Sequence, residues 1–102
     1  MEVEPLDVVI EGLVWVYGPG GNVDHIAQHF VRPADVQFVL DHDPIFTLNA
    51  PGHTATHIML GRDDHGRAIF VAILETEIPG LWTVITALEH RNTRRYLEEQ
   101  GR

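Results

Sequence analysis

Apolar residues follow several different rhythms along this chain. From Val8 to Tyr17 the run VVIEGLVWVY is β-branched and aromatic almost throughout, which predicts a strand, with Gly12 as the expected site of a bulge. Gly18-Pro19-Gly20-Gly21 breaks the run, and Asn22 is the expected N-cap of a following helix. Val23, Ile26, Ala27 and Phe30 then recur at i, i+3, i+4 and i+7, one apolar helical stripe. Pro33 suits the first turn of a second helix, Val36, Val39 and Leu40 supply its buried face, and Asp43-Pro44 ends it.

The rest reads mostly as strand. Ile45 to Leu48 is short, and Asn49 to Gly52 is a turn. Thr54 to Gly61 and Arg67 to Glu75 flank Asp63-Asp64-His65-Gly66, a polar loop with a final glycine that signals a hairpin. Ala68 to Leu74 is apolar on both faces and is the expected central strand. Glu77 to Gly80 turns into a last strand, Leu81 to Ala87. A polar helix follows from Glu89 to Gln100, anchored by Tyr96 and Leu97. The expectation is a single α+β domain over residues 1–102, with a mainly antiparallel sheet, two N-terminal helices and one C-terminal helix. Its expected core is Val14, Ile26, Phe30, Val36, Val39, Ile58, Leu60, Ile69, Val71, Ile73, Val84 and Ile85.

Composition removes several chemistries. No cysteine, lysine or serine occurs anywhere in the chain. Disulfides, thiolate and serine nucleophiles, Schiff bases and the P-loop lysine are therefore excluded. The start, Met1 to Asp7, carries Glu2, Glu4 and Asp7, the wrong charge for a signal peptide. Apolar runs of about six residues fall far short of a membrane span, so a cytoplasmic location and no membrane partner are expected. The net charge of −8 disfavours general nucleic-acid binding for the molecule as a whole. That charge is unevenly placed. Residues 1–87 hold three arginines against twelve acids, whereas residues 88–102 hold four arginines against three.

Seven histidines invite a metal reading. His25 and His29, at i and i+4, could share an ion, but no third ligand is adjacent. His53 and His57 are also four apart, but on a strand that spacing spans about 13 Å. Neither a metal nor an organic cofactor is expected. Carboxylate pairs such as Asp63-Asp64 and Glu98-Glu99 read as solvated charge. The most suggestive cluster is Arg91, Arg94 and Arg95, which share one helical face and suit phosphate contact, or else a solvated face balanced by Glu98 and Glu99.

Four stretches, taken in order, resemble the BrnT family of bacterial toxins, small ribonucleases of RelE-like fold. Val23-Asp24-His25-Ile26-Ala27-Gln28-His29 is similar to the family's N-x-x-H-I-x-x-H-G-V, with Phe30 where glycine is usual. Pro33-Ala34-Asp35-Val36 with Val39-Leu40 resembles its second helix. Ile58-Met59-Leu60-Gly61 and Gly66-Arg67-Ala68-Ile69-Phe70-Val71 are similar to its hairpin LVLG…GRxLxVV. Trp82-Thr83-Val84-Ile85-Thr86-Ala87-Leu88 and the arginine-rich end with Tyr96 resemble yRVITAR…ERRRY. The likeness spans residues 13 to 97.

This resemblance implies a metal-independent endoribonuclease held by a cognate antitoxin, for instance a ribbon-helix-helix protein, with a homodimer as a further option. It implies a catalytic set of Arg67, Arg91, Arg95 and His57, and RNA contacts from Arg94, His25, His29 and Tyr96. The arginines would hold phosphate, while His25, His29 or His57 would serve as general acid or base. The family pattern has arginine where this chain has Thr83 and Leu88. That departure implies the alternative of a non-catalytic domain that keeps the fold as a protein-interaction surface.

Overall fold

A computed structural model describes residues 7–102; Glu2 and Glu4, used in the signal-peptide argument, lie outside the described residues. The chain forms β1 (Gly12–Val14), α1 (Asn22–Ala27), α2 (Pro33–Asp41), β2 (Ile45–Leu48), β3 (His57–Arg62), β4 (Ala68–Glu75), β5 (Leu81–Glu89) and α3 (Arg91–Glu99). The five strands make one sheet in the order β1-β5-β4-β3-β2. Three pairings are antiparallel, and β1 lies parallel to β5, so the fold is α+β with a mixed sheet. As its apolarity on both faces requires, β4 sits in the middle of the sheet.

Alternation along the strands splits the core in two. Met59, Ile69, Val71, Ile73, Trp82 and Val84 face α1 and α2, meeting Ile26, Val36 and Val39. Ile58, Leu60 and Ala72 point the other way, and Tyr96 of α3 packs against them. Gly61 permits the α2 approach: a Cβ there would stand 2.8 Å from Val39 Cγ1.

Three expectations for the first third of the chain are corrected. The strand expected over Val8 to Tyr17 is paired only at Gly12–Val14. The Asn22 side chain ends it, because its Oδ1 accepts from Val16 N and its Nδ2 donates to the carbonyls of Val14 and Val84. Asn22 therefore stitches β1 to β5 instead of capping α1, whose N-cap is Gly21. The bulge also moves. Ala72 pairs with Thr86 and Ile73 with Val84, which leaves Ile85 as the extra residue of β5.

Val14 and Ile85 are half-buried rather than core, and Phe30 is 84% exposed. The reason for Phe30 is local. Beyond Ala27 the chain closes in a Schellman-type turn, in which Phe30 N–H bonds to Ala27 C=O and Val31 N–H reaches Ile26 C=O. That turn sets Phe30 at φ 61° and throws its ring outward, while Val31 takes the buried place. An L side chain in this conformation is strained by about 1 kcal/mol relative to glycine. Phe30→Gly is accordingly expected to raise Tm by a few degrees; an unchanged or lower Tm in a thermal melt would show that the ring contributes a contact worth more than the strain.

Candidate functional site

The hairpin end of the sheet carries a dense ionic network. Asp63 opens the turn and accepts from His65 N–H and Arg67 N–H through Oδ1, while its Oδ2 takes Arg67 Nε at 2.7 Å. Arg67 also donates to the Phe30 carbonyl and lies 3.4 Å from Asp35 Oδ2. Asp35 occupies the first turn of α2, where it accepts the Arg32 backbone N–H and pairs with the Arg32 guanidinium at 2.8 Å. Both carboxylates are buried. The resemblance assigned Arg67 to phosphate, but the structure places it between two buried carboxylates and a carbonyl, tying the hairpin to the α1–α2 junction.

The side-chain hydrogen bond from Arg32, aided by its backbone N–H and by the charges of Arg32 and Arg67, holds the Asp35 carboxyl below its ordinary pKa of 3.8 against the opposing effect of burial. A carboxylate whose pKa is depressed by folding stabilises the native state above its unfolded-state pKa. The stabilisation is lost as pH falls below about 4 through the lowered value. Denaturant midpoints measured from pH 5 to pH 2 should fall, and Asp35→Asn should flatten that dependence.

His25 lies in a different place. The β1–α1 loop, α1 and β5 enclose a cleft of about 580 Å³ lined by Val16, Asn22, Asp24, His25, Thr83 and Ile85, among others. His25 Nε2 is 3.1 Å from Thr86 Oγ1, and its ring meets His29 edge-on with centroids 5.5 Å apart. Thr83, at the position where the BrnT pattern has arginine, lines this same cleft.

His57 belongs to a third location. It opens β3, its Nδ1 is 2.8 Å from Thr56 Oγ1, and its ring meets Trp82 edge-on. It lines a second pocket together with Asp7, Glu11 and Glu75. His57 pairs with Ile73 and Arg62 with Ala68, so His57 stands five residues, about 16 Å, along β4 from the end where α3 begins.

The arginine helix stands apart again. Arg91, Arg94 and Arg95 are exposed on α3, while Thr93 and Leu97 are buried beneath it. Tyr96 is half-buried, packed against the second core cluster, so only part of its ring is open for base stacking. Among the described residues the one ion pair on this helix is Arg94 with Glu98 at 3.9 Å, and both side chains are well exposed. The first turn of α3 contains no acid and its last turn no base. Its charges therefore run against the helix dipole at both ends. The same first turn holds two buried side-chain atoms without a hydrogen-bond partner among the described residues, His90 Nδ1 and Thr93 Oγ1.

The structure thus distributes the expected site residues over four places: Arg67 in the ionic network, His25 and His29 by the cleft, His57 in the second pocket, and Arg91, Arg94, Arg95 and Tyr96 on α3. Among the described residues no arginine lines the His25 cleft or the His57 pocket, whereas a third pocket, beside Leu97 of α3, brings His42 together with Arg62 and Arg102, none of them an expected site residue. Asp63, Asp64 and His65 bring ligand-type atoms within 4.8 Å of one another. Arg67 and two backbone N–H groups already occupy the Asp63 oxygens. Among the described residues, no helix is long and apolar enough to cross a membrane.

The sequence pattern gives Asp35 no role, marks Asp63 as solvated charge, whereas it is buried under Arg67, and marks Asn22 as an N-cap, whereas it joins β1 to β5. Asp35 had a signal, because an acid three residues after the residue preceding Pro33 can reach back to an N-cap amide. Asp63 and Asn22 act through partners distant in sequence, and no local pattern reports those. Comparison of the chain with protein-family models, with curated proteins and with solved structures returns no match.

Proposed function

We propose that the chain is a divergent BrnT/RelE-like toxin-type domain that works by binding a protein partner and lacks nuclease chemistry. The observation that carries this reading is the separation of the expected catalytic histidines, His25 and His57, from the arginines. Cleavage of RNA by attack of a 2′-hydroxyl needs a proton-transfer group and cationic stabilisation around one phosphate. Here His25 faces a cleft without a cation, and Thr83 fills the position where the family pattern has arginine. His57 lines a pocket that carries, among the described residues, three carboxylates and no arginine. Arg67 is occupied by Asp35 and Asp63.

One observation favours the second reading, an RNA-cleaving toxin restrained by an antitoxin. Arg91, Arg94 and Arg95 are exposed together, and among the described residues Arg94 alone of the three has a carboxylate within 4.0 Å, Glu98 at 3.9 Å. Induced expression in a bacterial host separates the two readings. The expected result is normal growth and intact cellular RNA. Growth arrest with RNA cleavage, lost on replacing Arg91 and Arg95 by alanine, overturns the binding-domain reading. Arrest produced only after Thr83→Arg and Leu88→Arg identifies an intact nuclease fold whose cations have been lost.

A further inference from the structure

The charge order of α3 is the least economical feature of the surface. Arg91 opens the positive end, Arg94 and Arg95 follow one turn on, and Glu98 and Glu99 close the negative end, so the charges at both termini oppose the dipole of the helix that carries them. Arg91 also stands one turn from both Arg94 and Arg95, a like-charge arrangement that weakens a helix further. An exposed helix free of any other demand would gain by the reverse order. The arrangement concentrates positive potential on one and a half turns of a molecule whose net charge is −8. Three uncapped backbone N–H groups of the first turn, those of Arg91, Asn92 and Thr93, add to that potential.

We propose that the Arg91–Arg95 face of α3 docks a short acidic segment of a protein partner; the proposal rests on the binding-domain reading and names the surface it uses. Each guanidinium offers a planar fork that takes a carboxylate in two parallel hydrogen bonds, and bound carboxylates relieve the mutual repulsion of the arginines. Patch length favours such a segment over RNA. The patch covers five residues of helix, about 7 Å of axis, and the remaining 97 residues of the chain carry a surplus of eleven acids. A polynucleotide needs a basic track along its backbone and aromatic platforms for its bases. Here the track stops at Glu98, and the one ring on the helix, Tyr96, is half-buried against the second core cluster, which leaves a single partial platform. A few consecutive acidic side chains match the patch without crossing the acidic surface.

The test uses two probes of equal length, a hexaglutamate peptide and a uridine hexaribonucleotide, titrated at low salt against the whole chain and followed by the Nε–Hε resonances of the arginines. Hexaglutamate should shift Arg91, Arg94 and Arg95 and leave Arg67 unmoved. Each Arg→Gln replacement should weaken it by about tenfold, the effect of losing one charge-assisted contact. Higher salt should weaken it as well. The variant R91Q/R94Q/R95Q should melt no lower than wild type, because it removes charges that oppose the dipole; that result separates lost binding from lost folding. Tighter binding of the RNA than of the peptide overturns the proposal and assigns the patch to nucleic acid. Equal, weak binding of both probes by wild type and triple variant overturns it also. Growth arrest with RNA cleavage in the expression test sinks the binding-domain reading by itself; failure of the peptide to bind in a harmless protein sinks this surface alone.

Discussion

Replacing Arg67 by alanine should destabilise the protein by about 3–5 kcal/mol, the usual cost of removing one partner from a buried ion pair. Asp35 and Asp63 are 1% and 3% exposed, so water cannot compensate them once the guanidinium is gone. Arg32 still pairs with Asp35, but Asp63 keeps only backbone donors. The Phe30 carbonyl, in a strained turn, loses its donor in the same substitution. For a domain of this length the loss corresponds to a fall in Tm of at least about 12 °C. Arg67→Lys should recover part of it, because an ammonium keeps the charge but cannot bridge Asp63, Asp35 and a carbonyl in one plane. A melt lowered by less than about 3 °C in Arg67→Ala would return Arg67 to the pool of arginines free to hold a ligand.

This expectation also shows where the sequence is legible. The turn at Asp63 to Gly66 and the central place of β4 follow from local rules, since an alternation of apolar strands around a polar loop ending in glycine has few other solutions. Nine of the twelve expected core residues are buried, and the three that are not share one cause. Val14, Ile85 and Phe30 each lie where a regular element stops: at the Asn22 stitch, at the β5 bulge, and at the turn after α1. Periodicity extends an element until something interrupts it, and here the interruptions are tertiary. The candidate site was less legible for the same reason. The exposed arginines of α3 are readable, because charge on one helical face is a local property. The partners of Arg67 are not, because Asp35 is 32 residues away and meets it only when α2 folds over the hairpin.

Gly21→Ala should be the most damaging single methyl addition in the β1–α1 loop, at about 3 kcal/mol, the upper range for overpacking. A Cβ on Gly21 would stand 2.2 Å from the Val16 carbonyl oxygen and 2.8 Å from its carbon. These are backbone atoms, so no rotamer change relieves the clash. The same carbonyl accepts from Val23 N–H, and Val16 N–H is held by Asn22, so pushing Val16 away strains both bonds. Asn22 in turn joins β1 to β5, and the damage should reach the sheet edge and the wall of the 580 Å³ cleft. Gly20→Ala is the matched comparison. Gly20 has φ 79° and open space around its Cα, so alanine there meets only backbone strain of about 1 kcal/mol. Thermal melts of the two variants should rank Gly21→Ala well below Gly20→Ala. Hydrogen exchange should show faster opening of β1 and of the Val23 amide in Gly21→Ala alone. The opposite ranking would mean that the loop relaxes easily around Val16 and that left-handed backbone, rather than close packing, holds the cleft wall in place.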